Sequence, residues 1–209
     1  MNRHRILREE GGASAAEFAL VLPLLLLLLF GIFDAGRYMW QINAAEKATQ
    51  MGARMAVVTD PLAGGLVSAS YVGVTVGGVT LTQGDRIPAA ALGKISCGSG
   101  GCCTGGLTCT APFPAVGTFN STAFTTLVNR MKVFKPDVTA ANVRVDYSGS
   151  GVGYAGDPNG MEIAPLVTVS LNGVTFRPVT TFLFPDLSIP LPDVRTSLTA
   201  EDSIGAQSN

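Results

Sequence analysis

The sequence predicts an α+β protein: a long N-terminal helix crosses a membrane, then runs on into a mainly antiparallel β domain with a disulfide-stapled loop. Three observations predict it. Sixteen consecutive residues, Phe18 to Phe33, carry no charged or hydrogen-bonding side chain. Helix-forming residues without proline continue from Asp34 to Val58. Beyond residue 65, apolar positions alternate with polar or small ones, and Gly-Gly and Asn-Gly pairs punctuate the pattern.

Ala13, Ala15 and Ala16 extend the apolar run backwards past one ionisable residue, Glu17. At about 1.5 Å per residue, the stretch from Ala13 to Phe33 reaches roughly 31 Å, against a hydrocarbon core of about 30 Å. A carboxylate costs on the order of 2.5–3.5 kcal/mol at mid-bilayer and less near the interface, so Glu17 marks a residue with a role. Arg3, Arg5 and Arg8 precede the span, and Arg37 and Lys47 follow it. The short N-terminus and the large remainder favour a cytoplasmic N-terminus with the rest exported. The competing expectation is a removed secretory signal. Against it, the apolar run exceeds the usual length of about 7–15 residues, and Phe33-Asp34-Ala35 places Phe where a small residue is needed.

The helix is expected from Ala13 to about Val58, ended by Asp60-Pro61 and the Gly64-Gly65 pair. Pro23 cannot donate to the carbonyl of Ala19 and should bend or loosen the helix, which membranes tolerate. Past the span, Ala44, Ala48, Gly52 and Ala56 form a stripe on one face at spacing four. Small side chains let another backbone approach closely, either this protein's own sheet or a neighbouring subunit.

The exported part, 59–209, is expected to be one domain. Val72, Val74 and Val76, then Gly77-Gly78 and Val79-Thr80-Leu81, suggest a hairpin. Residues 93–110 are Gly- and Cys-rich and predict an irregular stapled loop. Asn120 or Ser121 is placed to cap a helix whose Phe124, Leu127, Val128 and Met131 share a face, with Pro136 behind it. Val143 to Tyr147 alternates as a strand, and 148–160 is a Gly-rich connection. Leu166–Leu171 and Val174–Phe176 flank Asn172-Gly173, the clearest hairpin signal in the chain. The Pro-rich end, 178–194, suggests edge strands and loops.

The chemistry is sparse. A net charge of −1 with 14% charged residues lacks the basic footprint of a nucleic-acid binder. Cys97, Cys102, Cys103 and Cys109 are disulfide candidates if exported, and four cysteines allow three pairings. A Cys102–Cys103 bridge closes a strained vicinal ring, so each is expected to pair with Cys97 or Cys109. The spacing is not that of a zinc ribbon and no His lies near, so neither metal nor cofactor is expected. The sole His, His4, lies before the span, which excludes Ser-His and Cys-His catalysis in the exported part. Asp146 and Glu162 are titratable, but scattered carboxylates usually serve solubility. The glycine clusters at 98–101 and 149–156 do not sit between a strand and a helix as phosphate loops do. No enzyme is expected.

Gly12-Ala13-Ser14-Ala15-Ala16-Glu17-Phe18 resembles the type IV prepilin cleavage motif, a Gly followed by a membrane helix with Glu at its fifth residue. More specifically, GASAAEFALVLPLLLLLLFGIFDAGR, followed by NAAEKATQMGARMAV, resembles the TadE-like family of minor pilins (pseudopilins) in Flp/Tad pilus systems. The two blocks cover about a quarter of the chain, Gly11 to Val57. LPDVRTSLTAEDS is only loosely similar to the family's terminal strand, and the resemblance is not carried over to the cysteine-rich insert. The resemblance implies a pilin-like fold and cleavage between Gly12 and Ala13 by a prepilin peptidase, with 1–12 as leader. It implies that Glu17, next to Phe18, pairs with the N-terminal amine of an adjacent subunit during assembly. The partners it implies are that peptidase, other pilins, Tad assembly proteins and the inner membrane. The alternative is a single-pass, membrane-anchored binding or adhesin-like module outside any pilus, with the cysteine loop as its contact surface.

Overall fold

A computed structural model describes residues 10–112, 114–158, 160–182 and 186–200 of the chain. Among the described residues there are two α-helices, α1 (Glu10–Val58) and α2 (Ser121–Lys132). The strands are β1 (Thr75–Val76), β2 (Val79–Thr80), β3 (Lys94–Gly98), β4 (Gly101–Cys102), β5 (Val143–Ser148), β6 (Leu166–Leu171), β7 (Thr175–Phe176), β8 (Ile189–Pro190) and β9 (Val194–Thr199). The class is α+β, with a long apolar N-terminal helix and a mainly antiparallel sheet domain. The chain divides into two compact units: Ile42–Val174 with the segment from Leu191, and the chain up to Gln41 with Thr175–Pro190.

The larger unit is built on a five-stranded antiparallel sheet, ordered β4-β3-β5-β6-β9. Alternation along its central strands is regular. Val143, Val145 and Tyr147 of β5 and Val167, Val169 and Leu171 of β6 are buried, while the residues between them are half-buried. A sheet with one apolar face needs a cover on that side only. Phe124, Leu127, Val128 and Met131 of α2 are buried, as are Ala45, Ala48, Thr49, Ala53 and Ala56 of α1. Helix and sheet meet at Gly52, where an added Cβ would stand 3.0 Å from Met131 Cγ and 3.2 Å from Val169 Cγ1. Thr49, fully buried, satisfies its hydroxyl against Glu46 O at 2.9 Å and Thr196 Oγ1 at 3.1 Å.

The end of α1 is tied to the middle of the sheet. Leu62 N–H, just past Asp60-Pro61, donates to the Tyr147 hydroxyl at 2.9 Å. Burial pushes that phenol's pKa well above its ordinary value, and the Leu62 bond lowers it by less. Asn120 caps α2 by accepting from Ala123 N–H at 2.9 Å.

The β1–β2 hairpin forms as the sequence suggests: Thr75 pairs with Thr80 and Val76 with Val79. Gly77 and Gly78 both take positive φ, 60° and 84°, as a primed two-residue turn requires. The Asn172-Gly173 pair does not close the predicted hairpin, and the reason is conformational. Only Gly173 has positive φ (66°), so the primed turn is not made. Asn172 N–H instead donates to Asn142 O at 2.9 Å, and Asn142 Nδ2 donates to Asn172 O at 3.0 Å. β6 pairs with β5 and β9, and β7 pairs with β8. Val174 and Leu191 are joined by Leu191 N–H to Val174 O at 2.8 Å.

A second correction concerns 93–110, expected to be irregular throughout. Lys94–Gly98 is a strand inside the main sheet, because Ile95, Ser96 and Cys97 are wholly buried and pair with β5. The remainder of the segment, apart from the two residues of β4, is loop. Within the Pro-rich stretch 178–194 lies β8, which pairs with β7 outside the main sheet, and the edge strand of the main sheet, β9, begins at its last residue, Val194.

The smaller unit contains the N-terminal part of α1 and the β7–β8 hairpin, with a 3₁₀ turn at Val179–Phe182 between the strands. The helix runs without interruption through Pro23.

Candidate processing and assembly segment

The N-terminal part of α1 is apolar around its whole circumference. Its most apolar window has a mean hydropathy of 2.5 and none of that window is buried, so the helix is long and apolar enough to cross a membrane. A helix apolar on every side is covered by lipid or by other helices, never by water. A single such helix suits single-pass membrane anchoring.

Gly12 lies on α1, exposed, and an added Cβ there would meet open space. Ala13 is helical, and its side chain lies outside the described residues, as do His4 and the arginines of 1–9. Glu17 and Phe18 stand exposed on the helix, and no ion pair joins Glu17 to another described residue. A peptide beginning at Ala13 would place Glu17 near its N-terminal end, where a negative charge complements the helix dipole.

The small-residue stripe is used inside the larger unit. Ala48, Gly52 and Ala56 are buried there and Ala44 is half-buried. Gly52 lies close to Met131 and Val169.

The cysteines form two disulfides. Cys97 and Cys102 face each other across the β3–β4 register, with Cα atoms 3.9 Å apart. Cys103 bridges to Cys109, with Cα atoms 5.5 Å apart. Cys103 N–H donates to Ser96 O at 2.8 Å, which ties this loop to β3. Loops this short contribute about 2 kcal/mol each in the chain-entropy model. Among the described residues, no group of three His, Cys, Asp or Glu side chains is placed to hold a metal ion.

Asp146 and Glu162 are each engaged separately. Asp146 pairs with Lys94 at 3.2 Å and Arg144 at 2.9 Å, on the polar face of the sheet beside a cleft of about 400 Å³. Glu162 is buried and accepts from Tyr71 N–H at 2.7 Å.

One residue of consequence was not visible from the sequence: Asp34, immediately after the apolar run. It is 7% exposed, and its carboxylate accepts from Val179 N–H at 2.7 Å and from Thr180 N–H and Oγ1 at 3.0 Å. Arg37 adds an ion pair at 3.2 Å. Removal from water pushes the Asp34 carboxyl up, but the bonds from Val179, Thr180 and Arg37 outweigh it and hold the pKa below the ordinary 3.8. One turn on, Tyr38 packs edge-on against Phe176 at 5.6 Å, and its hydroxyl donates to Pro190 O at 3.4 Å. The Arg37 guanidinium lies over the Phe176 ring at 5.2 Å. The only sequence signal for this set was a lone carboxylate at the end of an apolar run.

No curated protein and no solved structure matches the chain. Residues 12–54, which hold Gly12, Glu17 and the whole apolar run, match the family model described as TadE-like protein, the family that the N-terminal residues resemble.

Proposed function

We propose that this protein is a minor pilin (pseudopilin) of a Tad/Flp-type pilus, made as a precursor and matured by a prepilin peptidase. One observation carries the reading: the TadE-like match opens at Gly12, the residue after which the peptidase would cut. The exposed position of Gly12 on α1 and the lipid-ready helix behind it support the same reading. In this scheme residues 1–12 are a leader, 13–58 the helix with its span at about 13–33, and 59–209 the exported domain. The N-terminus is cytoplasmic and the domain periplasmic.

The mechanism is physical rather than catalytic. The uncleaved helix holds the folded domain at the inner membrane. Cleavage leaves a new amine on Ala13, four residues before Glu17. In a bundle of such helices, Glu17 of one subunit pairs with the amine of another. Both charges lose hydration there, so the pair sets axial register more than it adds stability. The protein is then a peptidase substrate and an assembly component alongside other pilins and Tad proteins, with no nucleic acid involved.

N-terminal sequencing of the membrane-bound protein from its native cell tests this. The expected first residue is Ala13. A chain still starting at Met1 in pilus-producing cells overturns the peptidase step, and a start beyond Phe33 overturns membrane anchoring as well.

A further inference from the structure

The apolar run of α1 stops at Phe33, and the very next side chain holds a second segment of the chain. If residues 13–33 fill the hydrocarbon, Asp34 stands at its boundary, since each residue adds only about 1.5 Å. Val179 and Thr180 donate to Asp34 from 2.7 and 3.0 Å, so the 3₁₀ turn that they open lies at nearly the same depth. Tyr38 is about 6 Å further along the axis, and it touches Phe176 and Pro190 from opposite strands of the hairpin. The headgroup layer is roughly 5–8 Å thick on each side. Both ties between hairpin and helix therefore fall within that layer.

What this unit exposes fits such a place. Val179 is 40% exposed, Leu187 40% and Ile189 37%, and Arg177 is exposed beside them. On α1, Met39 and Trp40 are 61% and 64% exposed. Trp40 is the only tryptophan in the chain, and tryptophan favours the membrane interface, where its ring meets headgroups. In water these apolar side chains would be a cost; at a lipid boundary they are stabilising.

We propose that the Thr175–Pro190 hairpin is a membrane-seated foot. It lies in the headgroup layer of the leaflet from which α1 emerges, with Val179, Leu187 and Ile189 against lipid and Arg177 beside lipid phosphate. The partner is lipid because Asp34 and Tyr38 fix the hairpin at the helix's own bilayer boundary. The inference rests on anchoring by residues 13–33 and is independent of the pilus role.

Depth-dependent fluorescence quenching tests it on the full chain in phosphatidylethanolamine–phosphatidylglycerol vesicles. In a Trp40→Phe background, Leu187→Trp and, separately, Ile189→Trp report on the hairpin, and Leu27→Trp reports on the span. Lipids brominated near the headgroup should quench the two hairpin reporters about two-fold or more, as for side chains roughly 5–10 Å into the interface. Lipids brominated near the chain ends should quench Leu27→Trp most. Unquenched hairpin reporters with a quenched Leu27→Trp overturn the foot and leave the anchor intact. If all three stay unquenched, the anchor and the foot fall together.

Discussion

Asp34 holds the backbone of Val179 across 145 positions of sequence, accepting its N–H at 2.7 Å. The carboxylate does for the Val179–Phe182 turn what a capping side chain does for a helix, except that it comes from another element. Tyr38, against Phe176 and Pro190, ties the hairpin's strands to the same helix, but the backbone of Val179 and Thr180 is met by Asp34.

Asp34→Ala should therefore loosen the Val179–Phe182 turn without unfolding the sheet unit. Loss of charge-assisted bonds of about 1.5–3 kcal/mol implies amide exchange at Val179 and Thr180 faster by roughly tenfold or more. Hydrogen–deuterium exchange in detergent micelles measures this, and β5 amides serve as the unchanged reference. Equal protection in mutant and wild type would show that the hairpin is held by other contacts.

Acid should do the same reversibly. The folded pKa of Asp34 is depressed below 3.8, so its contribution is fully present above that value and is lost as pH falls through the lower, folded one. Protection at Val179 and Thr180, corrected for intrinsic exchange, should be flat from neutral pH to about 4 and decline below. Asp34→Asn should remove the acid-dependent step.

Gly52 tests the contact between helix and sheet. Gly52→Ala gains about 1 kcal/mol of helix propensity against a Met131 contact that a shift of tenths of an ångström relieves, so it should be nearly neutral. Gly52→Leu must displace Met131 and Val169 together and should cost about 1–3 kcal/mol. Thermal unfolding of purified protein distinguishes the two.

Processing and assembly should separate genetically. Gly12→Ala meets open space in the helix, so slower maturation on an immunoblot would reflect the peptidase and not the fold. Gly12→Glu should block maturation, and normal maturation of that variant would remove the peptidase step. Glu17→Ala should mature normally yet fail to enter pili, read by immunoblot of the sheared fraction.

Local signals were legible and distant ones were not. The apolar run, the Asn120 cap and the four buried positions of α2 follow from spacing along one helix. Gly77-Gly78 supplies its own turn geometry. Asn172-Gly173 carries the same kind of signal, but Asn142, thirty positions away, captures its backbone and outcompetes the hairpin. Strand β3 hides in a segment whose Gly and Cys content suggests loop, because only its β5 partner shows that Ile95 and Cys97 face the core. The disulfide pairing likewise waits on a register, Cys97 opposite Cys102, that spacing alone does not specify. For the site, the Gly12–Glu17 motif is a short contiguous string, whereas Asp34 acquires its meaning only from residues 179 and 180.

The clasp of Val174 to Leu191, closed at 2.8 Å, has an engineering corollary. Everything between those two residues leaves the sheet domain and comes back to a shared doorstep. Because β6 and β9 pair directly, the strands on either side keep their alignment whatever the excursion does, while its own residues answer to Asp34 and Tyr38.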